Sequence, residues 1–482
     1  MRSKPDYIVS TLFSAVLISP IYLSLGLGST GVTVVYLFAI FQTVIIVLIN
    51  RYIFNSPETL GKLFILIVVF QNVGIGLALH LNKEIDLNSV RILISYSSMY
   101  ALIVVLTVVF LNGRKTMRIG SSLSNYEYAA LLFIGTVVVY FFIGSAPIFA
   151  KLGYLRNFTI CFILYLLGLL SWSDKSSTRN YIMYIFILGV IVSLLGLIER
   201  FFLPTDFWAG ALNMSIIAEA KGWDIGDGAM PGVFNTDFFG IRAQRLSSTF
   251  GEPVNAAYFF AFCSLAGLLV RNNAVLFICG ISLLATIGKG GILTFIVGSS
   301  VILYGQHIFR KRISLSKVAL LIPVIIAAII IYLKMFAGAT MPHIWGLAAL
   351  PENLISNPLG SGLGMGGNWG KIFNGVASTD FYNTGAESLL SVIGHQLGIV
   401  GLLFYGGFFV LTVRHFLTRR GFSLKRGNVS LSNYNLFVAA SMLGMFLASF
   451  FQENTLGPQA GGVFFLFMGI VERENIDFAE MT

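Results

Sequence analysis

Arg242-Ala-Gln-Arg245-Leu-Ser-Ser-Thr-Phe-Gly-Glu252-Pro-Val-Asn255 runs straight into an apolar stretch, Ala256 to Val270, that reads as a membrane span. Two guanidiniums and a carboxylate thus stand at a membrane interface. Charge there is costly, so an ionisable cluster at such a boundary marks a functional site by default. The rest of the chain keeps charge away from lipid. Hydrophobic residues make up 56% of the 482 residues and charged residues 11%, with a mean hydropathy of +0.84. An ordinary soluble domain carries about 25% charged residues. The composition therefore defines an all-α polytopic membrane protein.

Working outward, apolar runs fall near residues 8–26, 31–50, 60–80, 91–112, 129–149, 157–173, 181–202, 254–270, 274–288, 290–308, 317–336, 388–413, 433–452 and 459–472, which predicts about 14 spans in one membrane domain, 1–482. The basic N-terminus, Met1-Arg-Ser-Lys-Pro, is followed by the first run with no small-residue cleavage site, so it reads as a retained first helix. An even count puts both termini on one side. With this threading 20 Lys and Arg lie on the terminal side and 11 opposite. The positive-inside rule then predicts cytoplasmic termini. The net charge of +10 is spread between the spans, as topology signal and contacts to anionic lipid, so no nucleic-acid partner is expected. Cys161, Cys263 and Cys279 lie inside apolar runs and read as buried small hydrophobes.

Two segments of about 50 residues, 203–253 and 337–387, are predicted as external loops. Loops of that length commonly carry function. The first holds Asp206, Glu219, Asp224, Asp227 and Asp237 ahead of Arg242 and Arg245, which would share one face of a helix. Guanidinium forks suit phosphate and pyrophosphate; lipid headgroups or the loop's own carboxylates are the alternative partners. Lys289, in Ile287-Gly-Lys-Gly-Gly291, interrupts two apolar runs on the same predicted side, as in a broken-helix anion site or a tight turn with a snorkelling lysine. Lys151 and Arg156 lie in another predicted external connection and read as a solvated loop, with extension of a basic funnel as the alternative.

The stretch Asn357–Gly370 has six glycines. Its backbone N–H groups suit either an anion nest or a tight loop against helix ends. Glu387 opens the next run. A desolvated carboxylate there suits a general base toward a sugar hydroxyl, with Glu252 second; a helix N-terminal charge is the structural alternative. His395, deeper along that helix, reads as a bundle residue. Asp224-Ile-Gly-Asp227-Gly lacks full calcium-loop spacing, and the sequence has no HExxH, zinc spacing or GxSxG. Neither metal nor cofactor is expected. The stretch from Glu472 reads as a short acidic cytoplasmic end.

Four marks in this order resemble the O-antigen ligase/polymerase superfamily. Arg245-Leu-Ser-Ser-Thr-Phe-Gly-Glu-Pro-Val-Asn-Ala-Ala resembles its Arg…Phe-Gly-x-Pro-Asn-x-x-Ala motif. Ile287-Gly-Lys-Gly-Gly is similar to its Ser-Arg-Gly motif, with Lys289 in place of Arg. Asn357-Pro-Leu-Gly-Ser-Gly-Leu-Gly resembles its Asn-Pro-x-x-Gly-x-Gly-x-Gly loop, and Glu387–Gly401 is similar to the helix that follows. The resemblance covers about residues 240–405. It implies a GT-C-like glycosyltransferase, independent of metal and nucleotide sugar, in the bacterial inner membrane. Such an enzyme acts at the outer face on undecaprenyl-diphosphate-linked oligosaccharide, with a chain-length regulator as partner. Ligases of the superfamily typically have His where this chain has Glu387, which favours a Wzy-type polysaccharide polymerase over an O-antigen ligase. On those terms Arg242, Arg245 and Lys289 bind pyrophosphate, and Glu387 or Glu252 is the base. An anion or solute transporter using the same basic residues is the expectation from another class.

Overall fold

The computed structural model describes residues 57–81, 87–112, 123–171, 177–204, 207, 213–221, 234–238, 241–308, 344–374 and 387–481. In chain order the helices are α1 (Glu58–Leu81), α2 (Leu87–Ile94), α3 (Tyr96–Asn112), α4 (Asn125–Ile143), α5 (Ile148–Leu170), α6 (Ser177–Phe202) and α7 (Met214–Ala220). A two-stranded antiparallel sheet follows, β1 (Asn235–Phe238) and β2 (Ile241–Gln244). Then come α8 (Pro253–Val270), α9 (Asn273–Thr286), α10 (Lys289–Ile308), α11 (Leu350–Ser356), α12 (Gly367–Asn374), α13 (Leu389–Lys425), α14 (Val429–Ala448) and α15 (Gly462–Glu480).

Seven described helices are long and apolar enough to cross a membrane: α1, α4, α5, α6, α8, α13 and α14. The chain is therefore an all-α membrane protein. Of the remaining runs, those near 8–26, 31–50 and 317–336 lie outside the described residues. The run 91–112 is divided between α2 and α3, and 274–288 forms the shorter apolar helix α9.

In α8, 83% of the apolar window is buried, against 22% in α4. The helix that the opening motif leads into is thus central, and α4 turns most of its surface outward to lipid. Around α8 pack α9 and α10; α10 in turn meets α14, and α14 meets α13. Pro253 at the first position of α8 needs no N–H partner and starts the helix cleanly.

At the acidic end, α15 runs on to Glu480, with Glu472, Glu474 and Asn475 buried. One expectation fails here. Lys151 and Arg156 lie not in a solvated connection but within α5, which begins at Ile148 just after Pro147. The Arg156 guanidinium stands over the Trp369 ring at 5.2 Å and donates to Ser95 Oγ at 2.6 Å.

Candidate active site

Arg245 follows β2 directly. Residues 241–244 are a strand, so the helical face that would align Arg242 with Arg245 does not exist. Arg242 instead pairs in register with Asp237 across the hairpin. The Arg245 backbone N–H donates to Phe234 O at 2.8 Å, and the next N–H, of Leu246, donates to Ala285 O at 3.0 Å. The guanidinium Nε donates to Thr286 O at 3.0 Å, fixing its plane at the C-terminal end of α9. Beneath it, buried Glu199 of α6 accepts from Ser247 Oγ at 2.7 Å and from the Ser248 N–H at 2.5 Å. Arg245 is thus held on a built scaffold rather than a free loop.

Lys289 comes to the same place from the other side of the break. The chain leaves α9 through Ile287 at φ 49°, a left-handed conformation that a β-branched residue rarely adopts. A Cβ on Gly291 would stand 2.5 Å from the Ala257 backbone of α8, so only glycine lets these helices approach so closely. Lys289 is 7% exposed. Burial lowers its amine to about 7, as does neighbouring Arg245, while Glu387 opposes the shift. Burial likewise lowers Arg245 to about 10, against the pull of Glu252 and Glu387. Two cations and Glu387 therefore share one electrostatic neighbourhood.

Glu387 stands at φ 68°, one residue ahead of Ser388, the N-cap of α13. It lies before the helix, not in its first turn. Ser248, Ile287 and Glu387 are all non-glycine residues in the left-handed region. Each such residue stores on the order of 1–3 kcal/mol, and such strain gathers at functional sites.

Glu252 has a different character. It is 4% exposed and pairs with Lys221 Nζ at 2.9 Å. It also accepts from Asn255 Nδ2 at 2.8 Å and Asn454 Nδ2 at 3.3 Å. A carboxylate so thoroughly bonded is an anchor between the loop and α8, poorly available to a hydroxyl.

The glycine-rich loop does not form the anion nest. The N–H groups of Ser361, Gly362 and Gly364 are taken by His395 O, Gln396 O and Gln396 Oε1, at 2.8, 3.0 and 2.9 Å. They fill a break in α13 at Gly398 (φ 63°, ψ −158°), where a Cβ would stand 2.2 Å from Pro358 O. The loop is thus the tight docking element of the two readings. Asp224 and Asp227 lie outside the described residues.

The sequence reading missed Glu453. It sits between α14 and α15, buried, and accepts from Tyr154 Oη at 2.6 Å and Asn368 Nδ2 at 2.6 Å. Burial raises its carboxyl to about 7, Tyr154 lowers it and Glu387 raises it further. The one signal available was a carboxylate in a short connection on the same predicted side as Arg245, Lys289 and Glu387.

No protein-family model matches the chain, and no curated protein matches it.

Proposed function

We propose that the protein is a polysaccharide polymerase that moves a glycan between undecaprenyl-diphosphate-linked carriers. This reading includes about 14 spans with a GT-C-like arrangement, both termini in the cytoplasm, and the site at the outer face of a bacterial inner membrane. The observation that carries it is the convergence of Arg245, Lys289 and Glu387 at one end of the bundle. In the reaction, the bond from the donor sugar's anomeric carbon to the diphosphate oxygen breaks. A new bond forms to the acceptor hydroxyl oxygen.

Arg245 and Lys289 neutralise the leaving diphosphate, where pre-aimed charge acts in a site low in water. Glu387 takes the acceptor proton. Arg242 joins the diphosphate contacts from the hairpin. An amine at about 7 also suits this role, because it is partly neutral in the empty site and gains its proton as the anion arrives.

Lipid-linked oligosaccharides from a deletion strain test the reading. Accumulated single-repeat units are expected. Polymer retained on the lipid carrier would indicate a ligase, and an unchanged polymer profile would refute both.

A further inference from the structure

Glu453 is 7% exposed, and none of the ion pairs among the described residues includes it. Its partners are hydrogen-bond donors from three other segments. Tyr154 Oη, on α5, donates to one carboxyl oxygen at 2.6 Å. From the start of α12, the Asn368 N–H stands 3.2 Å from both oxygens, and Asn368 Nδ2 donates at 2.6 Å. The backbone N–H of Glu387 donates as well. A carboxylate offers about four acceptor positions, and these four donors match them. Only the ionised form accepts all four. The protonated acid has to release or reverse one of these bonds.

We propose that Glu453 is a positioning residue whose carboxylate clamps the glycine-rich loop at Asn368 and the turn carrying Glu387 against α5, assembling the site when ionised and loosening it when protonated. The clamp stands on the hydrogen bonds alone; that it serves catalysis rests on Glu387 being the base. The neutral range is where it switches, since burial and Glu387 raise this carboxyl to about 7 against the donors' pull. The charged and titratable groups around it are Tyr154 from α5, Glu387 ahead of α13, and His395 within α13. Arg156 stands over the Trp369 ring beside Asn368. The Glu252–Lys221 pair is reached through the adjacent Asn454. Mutual repulsion between Glu453 and Glu387 makes the step depend on both.

Hydrogen exchange on the full-length protein in lipid nanodiscs reads the clamp without any assay of activity. In the wild type, protection of amides in 362–370 and at 387–391 should fall as pH drops through about 7. E453Q should lose that step and show lowered protection throughout. E387Q should keep the step but move it to lower pH, because a negative neighbour has been removed. Y154F, which keeps the ring, should weaken protection in the same direction by less, and decides the matter if E453Q does not fold.

Polymer synthesis gives the second readout: E453Q should be slower by roughly tenfold, about one hydrogen bond's worth, and lose the acid limb near neutrality. Wild-type protection in both E453Q and Y154F, or a pH step that survives E453Q, overturns the clamp. If protection follows Glu453 while the wild type makes no polymer, the clamp holds and the polymerase reading falls. If polymer forms and protection ignores Glu453, the reverse follows.

Discussion

The two ends of the helical bundle treat buried polar groups in opposite ways. His415 lies 26 residues beyond Leu389 along α13, roughly 40 Å of helix rise from the Glu387 end. There, His415 Nε2 meets Glu472 at 3.0 Å, and Asn435 and Asn475 exchange hydrogen bonds at 2.9 and 2.8 Å. Tyr126 bonds Tyr165 at 2.7 Å, and Tyr165 donates to Glu127 at 2.7 Å. Groups within this network are matched, and the left-handed non-glycine residue described on that side, Arg271 (φ 60°), ends α8. At the Glu387 end, a lysine is buried beside an arginine, Glu453 lies beside Glu387, and three non-glycine residues are left-handed. A matched network strengthens packing. Like charges held together cost stability and persist where chemistry uses them.

Substitutions at the two ends should therefore fail differently. The largest expected effect is Glu387→Gln, a loss of about 10²–10⁴ in the rate of polymer formation with normal amounts of folded protein. Glu252→Gln, at the same end, is its structural control. Removing one partner of a buried ion pair costs about 3–5 kcal/mol of stability, so yield and melting temperature should drop while the rate per folded molecule changes little. Wild-type polymer from Glu387→Gln would make Glu387 structural and leave the base unassigned.

Arg245→Ala and Lys289→Ala come next, each costing about 2.7–4 kcal/mol in the chemical step. Arg245→Lys should recover only part, since an ammonium cannot keep the Nε bond to Thr286 O and present a planar fork as well. At the matched end, Glu472→Ala should cost about 1–3 kcal/mol of stability by orphaning His415 and removing one of the bonds that Asn475 donates. Its turnover per folded molecule should be unchanged; a rate loss there would erase the contrast between the ends.

The smallest effect is in the pH dependence of stability, read as melting temperature in detergent. Lys289 is lowered from 10.5 to about 7, so the unfolded chain binds its proton more readily. Its stability contribution is present at alkaline pH and lost as pH falls from 10.5 to about 7. Glu453 is raised from 4.5 to about 7, so in global unfolding, which returns the carboxyl to water, its contribution is present at low pH and lost as pH rises from 4.5 to about 7, although the local clamp is tightest when ionised. Together they predict a minimum near neutrality. Lys289→Met should flatten the alkaline arm and Glu453→Gln the acid arm.

The membrane class was legible because apolar runs and charge placement are properties of composition. The break at Lys289 was legible because Gly-Lys-Gly-Gly interrupts a hydrophobic run. The hairpin carrying Arg242 was not, since two four-residue strands leave little period-2 signal and a three-residue spacing suggests a helix. The docking role of the glycine-rich loop was hidden because its partner, the break at Gly398, looks like any glycine in an apolar run. Glu453 carries no motif, and only the approach of α5, α12 and the Glu387 turn gives it meaning.

The most direct test uses purified protein, a lipid-diphosphate-linked repeat unit as the sole substrate, and quantitation of free lipid diphosphate against glycosidic bonds formed. The account predicts one lipid diphosphate released for each bond made by the wild type, with both products strongly reduced by Arg245→Ala and by Lys289→Ala. Bonds formed without diphosphate release, or release at wild-type rate in both variants, would contradict it.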